Sequence, residues 1–292
     1  MRILVAGAQG QVGSALAQLG QQQGVDLIAL PRTELDITDA ASIARAFARF
    51  TPDLLINAAA YTAVDKAETE SQAAYLINET AVSLLADACA KADIPLLHIS
   101  TDYVFDGSKT DAYTEADVVN PLAVYAKSKE AGERAVRERL KRHIIMRTSW
   151  VFGEQGNNFV KTMVRLAKDR DRLTVVADQF GGPSSARAIA QALLKIAAHY
   201  KASGDAPWGT YHFSQTPYVS WHEFAQVIID KAITKGLVDH PVDVAPIPSS
   251  AFPTPVERPK NSRLNTAHIE AMFAVEPGEW GVDVDRVLNS LV

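Results

Sequence analysis

The sequence predicts an α/β protein built on a Rossmann-like, doubly wound parallel sheet, followed by a smaller, loop-rich C-terminal lobe. Two observations support this prediction. Short, continuous apolar runs alternate with longer segments of helical periodicity, and the first apolar run leads directly into a glycine-rich turn. Apolar runs without polar alternation are typical of strands covered on both faces, and strands separated by helices form parallel sheets.

The predicted elements follow one another regularly along the first 153 residues. Helical periodicity is clearest at 38–50, where Ile43, Ala46, Phe47 and Phe50 fall on one face. The predicted strands are 2–7, 26–30, 53–60, 94–100 and 143–153, and the predicted helices are 11–23, 38–50, 71–92 and 121–140.

Beyond residue 153 the pattern changes. Helices are predicted at 157–170, 184–200 and about 220–235, and strands at 172–179 and 209–215. The proline-rich sequence at 241–259 favours loops over further sheet. We therefore predict a main domain at 1–153, rejoined by 186–216, and a second lobe formed by 154–185 and 217–292.

The composition argues against several classes of function. The 292 residues carry a net charge of −5 and no run of Lys or Arg, so neither nucleic acid nor an anionic membrane is expected as a partner. No apolar run approaches the roughly 18 residues that cross a bilayer. The single cysteine, Cys89, cannot form an internal disulfide. These features predict a cytoplasmic protein.

The glycine-rich turn after the first predicted strand reads Gly7-Ala8-Gln9-Gly10-Gln11-Val12-Gly13. Without Cβ atoms the backbone can turn sharply, approach a pyrophosphate and direct helix N–H groups at its charge. We predict dinucleotide binding by Gly7, Gly10, Gln11, Val12 and Gly13, with an ordinary strand-to-helix turn as the alternative. The G-x-x-G-x-x-G spacing differs from the G-x-G-x-x-G of most dehydrogenases.

The ends of the second and third strands would face the same dinucleotide. The second strand lacks the terminal acid that usually binds the adenine ribose, and Arg32 stands there instead. Because arginine can pair with a 2′-phosphate, we predict NADPH as the cofactor, with NADH as the alternative; a solvated surface arginine is the other interpretation. Asp36 and Ile37 are expected over the adenine. The small residues at 57–60 would admit the cofactor or serve helix packing.

Three polar side chains are expected at the mouth of the crevice. Thr101 closes the fourth strand, and strand carboxyl ends are where ligands bind in open α/β sheets. Tyr125 and Lys129 lie four residues apart at the start of the next helix and therefore share one face. Y-x-x-x-K alone occurs by chance in many proteins. Together with the glycine turn and Thr101, it predicts a proton donor and a cation beside the dinucleotide.

These motifs resemble the extended branch of the short-chain dehydrogenase/reductase superfamily, and within it the reductases that act on dTDP-4-dehydro-L-rhamnose. The resemblance rests on GAQGQVG, NAAAYTAVDKAE, STDYVFDG, YAKSKEAGE, RTSWVFG, NNFVKTM, DQFGGPSSA and RPKNSRLNT, which are spread over most of the chain. It implies an NAD(P)H-dependent oxidoreductase that reduces the C4 ketone of that nucleotide sugar, the last step of dTDP-L-rhamnose synthesis. It also implies cofactor contacts from Ala58, Ala59, Ala60, Tyr61 and Thr62.

The resemblance implies a role for each polar group. Tyr125 would give its proton to the forming alkoxide, Lys129 would bind the nicotinamide ribose and lower the phenol pKa, and Thr101 would hydrogen-bond the carbonyl oxygen. A phenol titrates near 10, and a neighbouring cation lowers such a pKa by about 1–3 units, closer to working pH.

Substrate contacts are implied for a further set of residues, which would place substrate binding in the second lobe and at the strand ends. The set is Asp102, Trp150, Asn158 and Arg258, with Asn157 and Gln179 as further candidates. A strand-end cap is the alternative for Asp102, a core position for Trp150 and a solvated surface position for Arg258. A tryptophan at a strand end can cover the apolar face of a sugar.

No metal site is expected. Related reductases that form an Mg²⁺-bridged dimer carry a glutamate early in the first helix, where this chain has Gly13-Ser14-Ala15. The seven histidines show no ligand spacing. We therefore predict no structural Mg²⁺ and either a monomer or a weak homodimer.

Two other functions remain open. One is an epimerase or 4,6-dehydratase of the same branch, although such dehydratases carry Asp-Glu after the threonine where this chain has Asp102-Tyr103. The other is a non-catalytic, NADP-binding regulatory subunit, like the beta subunit of methionine adenosyltransferase. The presence of Thr101, Tyr125 and Lys129 argues against that role.

Overall fold

The computed structural model describes residues 1–292 and contains twelve strands and eleven α-helices. The strands are β1 (Ile3–Ala6), β2 (Leu27–Leu30), β3 (Leu54–Asn57), β4 (Leu96–Thr101), β5 (His143–Thr148), β6 (Val151–Phe152), β7 (Arg172–Val176), β8 (Phe180–Gly181), β9 (Ser184–Ser185), β10 (Gly209–Phe213), β11 (Val219–Ser220) and β12 (Asp243–Ile247). The helices are α1 (Gln11–Gln22), α2 (Ala40–Phe50), α3 (Val64–Ala67), α4 (Ser71–Tyr75), α5 (Ala81–Ala92), α6 (Val124–Arg139), α7 (Phe159–Ala167), α8 (Ala186–Ser203), α9 (Trp221–Thr234), α10 (Ala267–Phe273) and α11 (Trp280–Asn289).

Six strands form one parallel sheet in the order β10-β5-β4-β3-β1-β2. The chain moves outward from β1 to β2, and then returns to add β3, β4, β5 and β10 on the other side of β1. The order therefore reverses between β1 and β3. A reversal of this kind opens a crevice at the carboxyl ends of the two strands, which is where open α/β sheets bind ligands.

Both faces of the sheet are covered, as the sequence predicts for a doubly wound fold. Ile3 and Val5 of β1 pack with α1 and α8, whereas Leu4 and Ala6 pack on the opposite face with α2 and α5. Alternate residues of a strand face opposite sides, so a continuous apolar run serves two cores at once. Cys89 is buried in the second of these cores, and burial raises the pKa of its thiol.

A separate core lies outside the sheet. It joins α7, α9 and α11 to the two-stranded parallel sheet of β7 and β12, around Phe152, Phe224 and Trp280. Helix α10 packs instead against α8 and β10. Its Ile269 and Phe273 belong to the core on the α1–α8 face of the main sheet.

The structure corrects several element predictions. The proline-rich stretch contains β12, an edge strand in which Pro246 is tolerated because only one side of the strand is paired. The two last helices were not predicted. In α11 the Val-Asp-Val-Asp sequence imitates strand alternation, yet Trp280, Val284, Val287 and Leu288 are buried with helical spacing.

Two predicted elements are interrupted. The helix predicted at 71–92 contains a π-helical turn, Leu76–Thr80, between α4 and α5. The strand predicted at 143–153 breaks after β5, because Trp150 adopts a positive φ of 48° before β6 begins. Neither event changes the hydrophobic pattern, so neither can be predicted from periodicity.

None of the helices combines the length and apolar character needed to cross a bilayer.

Candidate active site

A cleft of about 580 Å³ opens at the carboxyl ends of β1, β3, β4 and β5. Each strand delivers a short segment to its wall. The lining residues from the predicted set are Gly10, Gln11, Val12, Ala58, Ala59, Ala60, Thr62, Thr101, Asp102, Tyr125, Lys129, Trp150 and Asn157. The fold thus brings most of the predicted residues of the first 160 positions into one cavity.

The glycine turn is shaped by contacts that exclude side chains. Gly7 has a φ of 89°, and a Cβ there would lie 2.7 Å from the Ala59 nitrogen. A Cβ on Gly13 would lie 2.1 Å from the Gly7 carbonyl oxygen. The turn therefore closes tightly against the end of β3. It presents the start of α1, which no side chain caps, to the cleft.

Asn78, which lies in the π-helical turn, holds the segment after β3 in place. Its side-chain oxygen accepts from the Tyr61 N–H at 2.9 Å, and its nitrogen donates to the Tyr61 carbonyl at 3.0 Å and to Ser128 Oγ at 3.0 Å. One buried amide thus connects the segment after β3 to α6. The helix that carries Tyr125 and Lys129 is thereby fixed against the segment after β3.

Tyr125 and Thr101 face each other across the middle of the cleft. Burial raises the pKa of the Tyr125 phenol to about 12, a hydrogen bond with the Thr101 side chain partly offsets that rise, and the carboxylate of Asp102 adds to it. This direction corrects the expectation that Lys129 lowers the phenol pKa. The phenol therefore carries its proton throughout the physiological range.

Burial of the phenol is the main cause of this difference. The Lys129 ammonium donates to the Ile99 carbonyl at 2.7 Å, which fixes it against β4. Burial lowers the pKa of Lys129 to about 8, and the carboxylate of Glu133 opposes this shift. The lysine and the tyrosine line the same cleft, as their spacing predicts.

Asp102 is buried beside Thr101. Its Oδ1 accepts from the Thr101 hydroxyl at 3.0 Å, while its Oδ2 has no hydrogen-bond partner. Burial raises the pKa of this carboxyl to about 7, and the hydrogen bond from the Thr101 side chain limits the rise. A buried carboxyl with a free oxygen at a cleft wall can receive a hydroxyl from a ligand.

Trp150 forms the floor of the far end of the cleft. Its ring stacks on Trp221 with centroids 3.5 Å apart and planes 7° from parallel. Gly181 packs against the indole, where a Cβ would lie 2.5 Å from its Cε2 atom. The positive φ of Trp150 is costly for a bulky residue, and such strain is concentrated at functional sites.

A second cavity of about 630 Å³ adjoins the first and shares Tyr103 and Trp221 with it. Its wall is apolar along α7 and β7, through residues such as Phe159, Met163 and Val175. Three arginines, Arg170, Arg172 and Arg258, also line it, together with Gln179. Arg258 donates to Asp65 Oδ2 at 2.8 Å, and its Nη1 is buried without a partner.

A model of the family described as the RmlD substrate binding domain matches residues 1–292. The chain belongs to this family. A relative named dTDP-4-dehydrorhamnose reductase, from Aggregatibacter actinomycetemcomitans, is 45% identical over 280 residues, which cover 96% of this chain and 95% of the relative.

Two solved structures of proteins named dTDP-4-dehydrorhamnose reductase have the same fold. The crystal structure of a dTDP-4-dehydrorhamnose reductase from Clostridium acetobutylicum superposes with a TM-score of 0.91 at 36% identity, covering 100% of this chain and 99% of the other. A dTDP-4-dehydrorhamnose reductase from Bacillus anthracis, solved in complex with NADP, has a TM-score of 0.90 at 34% identity, covering 99% of this chain and 98% of the other. The fold and the family predicted from the sequence are confirmed.

Some of the predicted site residues lie outside the cleft. Arg32 is exposed and pairs loosely with Asp36, at 3.5 Å. Asp36 accepts from the Thr38 N–H and hydroxyl, bonds that hold the pKa of its carboxyl below the usual range. The Ile37 side chain is buried in the core rather than directed at a ligand. The Tyr61 hydroxyl donates to Glu70 at 2.7 Å.

Asn158, predicted as a substrate contact, caps the start of α7. Its oxygen accepts from the Lys161 N–H at the start of α7, and its nitrogen donates to Gly153 and to the Gln11 side chain. Its neighbour Asn157 lines the cleft instead. A side-chain cap at the first turn of a helix is a common role for asparagine.

Other residues of the site were missed by sequence reasoning. Trp221 and Asn78 carry no motif in the sequence, and Tyr103 and Asp65 were not singled out although they lie in runs that carry the resemblance. They come to the site from distant elements or from the π-helical turn. Only the "YTAVDKAE" run pointed to Asp65, and it did so as part of a resemblance. No group of three or more His, Cys, Asp or Glu side chains is placed to hold a metal ion.

Proposed function

We propose that this chain reduces the C4 ketone of dTDP-4-dehydro-L-rhamnose with NADPH, in the last step of dTDP-L-rhamnose synthesis. The observation that carries the proposal is the convergence of the glycine turn, Thr101, Tyr125 and Lys129 on one cleft. The names of its RmlD-family relatives agree with it.

The residues at the first end of the cleft fit a dinucleotide. The uncapped start of α1 offers backbone N–H groups to a pyrophosphate, and Ala58, Ala59 and Ala60 leave the wall opposite free of bulky side chains. A nicotinamide held there would supply the hydride. Lys129 is the residue we assign to the ribose beside it, and Arg32 to a 2′-phosphate, which makes NADPH the preferred cofactor.

Tyr125 is the proton donor in this proposal. Because its pKa is raised to about 12, the phenol keeps its proton until a stronger base appears. An alkoxide formed at C4 is such a base, so proton transfer from the Tyr125 hydroxyl is favourable only as the ketone is reduced. The Thr101 hydroxyl, opposite the phenol, would hold the same oxygen in place.

We assign the sugar and the nucleotide to the far end of the cleft and the adjoining cavity. The stacked Trp150 and Trp221 offer an apolar surface to a sugar face, and the free Oδ2 of Asp102 can accept a sugar hydroxyl. The cavity beyond combines apolar walls for a thymine with Arg258, Arg170 and Arg172 for a diphosphate.

This assignment makes residues 1–153, with 186–216, the NAD(P)-binding domain, and 154–185 with 217–292 the substrate-binding lobe, apart from α10, which packs on the main sheet. A cytoplasmic location is part of the proposal, because a single buried cysteine, Cys89, suits a reducing compartment. We also propose that the protein acts as a monomer or weak homodimer without structural Mg²⁺.

The test supplies purified protein with dTDP-4-dehydro-L-rhamnose and NADPH, follows the loss of NADPH absorbance and identifies the sugar product. We expect one NADPH consumed per dTDP-L-rhamnose formed. A product that retains the ketone would replace the proposal with an epimerase or dehydratase. Binding of NADPH without any oxidation of it, in the presence of the sugar, would replace it with a regulatory subunit.

A further inference from the structure

A buried row of polar side chains crosses the main sheet directly beneath α6. Asn57 of β3 is registered with His98 of β4, Ser100 of β4 with Arg147 of β5, and Arg147 with His212 of β10. All five residues are buried. A cross-strand row of this kind is unusual in a sheet face that packs on a helix, where apolar residues are the norm.

The helix above supplies the charges that complete the row. Tyr125, Lys129 and Glu133 are spaced four residues apart and lie along one face of α6. The fully buried Glu133 binds Arg147 through two hydrogen bonds, of 2.9 and 2.7 Å. Arg147 also approaches His212 Nε2 at 3.4 Å, and Arg137 reaches Glu133 from the surface at 3.0 Å.

Few ionisable groups surround Lys129. Tyr125 and Glu133 lie one turn away on the same helix, and Asp102 lines the same cleft. His98 of β4 feels the Lys129 charge, and Arg147 of β5 is bound to Glu133. His98 is kept neutral, because burial and the positive charge of Lys129 both lower its pKa. The Arg147 guanidinium is already paired. Glu133 is the acid that favours a charged Lys129.

We propose that Glu133 is a positioning residue for the reaction: its buried carboxylate keeps Lys129 in the cationic form that binds the cofactor ribose. Arg147 and Arg137 hold that carboxylate in place through hydrogen bonds to both of its oxygens. The alternative is that the Glu133–Arg147 pair only stabilises the fold. This inference rests on the cofactor half of the proposed function and needs no assumption about the sugar.

The experiment measures the affinity for NADPH, by fluorescence titration, between about pH 6 and 9.5, a range that spans the titration of a lowered lysine. Wild-type affinity should fall as Lys129 loses its proton at alkaline pH. Lys129→Met should bind weakly at every pH and show no such fall. In Glu133→Gln the fall should begin about 1 pH unit lower than in the wild type, because a nearby opposite charge raises a lysine pKa by at least that amount.

Two further variants separate positioning from stability. Arg147→Met breaks the same ion pair but leaves the carboxylate, still paired with Arg137, so its alkaline fall should stay in place or move upward. Glu130→Gln removes one negative charge from the same helix at a position that pairs with Arg134 and Arg137, and should change nothing.

The proposal fails if Glu133→Gln loses affinity at the wild-type pH, or if Arg147→Met shifts downward as far as Glu133→Gln does. If Glu133→Gln does not fold, Arg147→Met still decides, since a downward shift there means that the pair acts only through structure. A protein that binds NADPH with this pH dependence yet reduces no sugar would overturn the proposed function and leave this inference standing.

Discussion

The two ends of the active-site cleft are built in different ways. At the cofactor end the walls are backbone and small side chains, and two glycines, Gly7 and Gly13, approach neighbouring main chain too closely for any Cβ. At the far end the walls are large side chains, among them the stacked Trp150 and Trp221 and the arginine Arg258. A ligand is admitted at one end because side chains are absent and selected at the other because they are present.

The largest effect should come from the group placed between the two ends. Tyr125→Phe removes the proton donor but no wall, so turnover should fall about 10³-fold, within the usual range for general acid catalysis, while the affinity for NADPH is retained. Steady-state kinetics and NADPH titration measure both quantities. Turnover within a factor of a few of wild type would show that another group donates the proton.

The next test addresses the end made of backbone. In Gly13→Ala the new methyl group would overlap the Gly7 carbonyl, so the turn or α1 must move, at a cost of about 1–3 kcal/mol. We expect a lower melting temperature and about a tenfold or greater loss of NADPH affinity. Gly281→Ala is the matched control, since nothing lies within 4 Å of its Cβ. Unchanged NADPH binding in Gly13→Ala would remove the glycine turn from the cofactor site.

At the far end, removal of a side chain should change KM for the nucleotide sugar rather than the affinity for NADPH. Arg258→Met keeps the apolar stem but loses the guanidinium, and we expect KM for the nucleotide sugar to rise about tenfold, as for loss of one charge-assisted contact. NADPH affinity should stay constant. Arg49→Met, on the remote surface of α2, is the control. A change in NADPH affinity instead of KM would mean that the two ends are not separate.

The smallest effect is expected at the rim of the cofactor end. Arg32 is 73% exposed, so its contact with a 2′-phosphate would be screened, and Arg32→Ala should reduce the preference for NADPH over NADH by about threefold to tenfold. Arg45→Ala, at an arginine that is 71% exposed, is the matched control. A wild-type enzyme that favours NADH would contradict the assignment of Arg32.

The contrast between the two ends also explains what could be predicted from the sequence. The cofactor end follows one contiguous βαβ series, and its glycines, small residues and Y-x-x-x-K spacing are local patterns that survive without knowledge of packing. The main sheet and its two covered faces were predictable for the same reason.

The far end could not be predicted in this way. Trp150, Trp221 and Arg258 come from three distant segments, and their approach depends on the core between α7, α9 and α11. Asn158 and Ile37 show the converse limit, because polarity or position near a motif does not reveal that a side chain caps a helix or packs in the core. The missed strand β12 depends on a partner, β7, whose paired residue Arg172 lies 71 positions before Asp243.

Gly132 of α6 has a consequence for related proteins. A Cβ at this position would lie 2.0 Å from the Asn78 carbonyl oxygen, so the helix rests directly on the main chain of the π-helical turn. A homologue with any larger residue there must shift either the helix or the turn. The extra residue of the turn and the placement of the Tyr–Lys pair are therefore expected to have changed together during divergence.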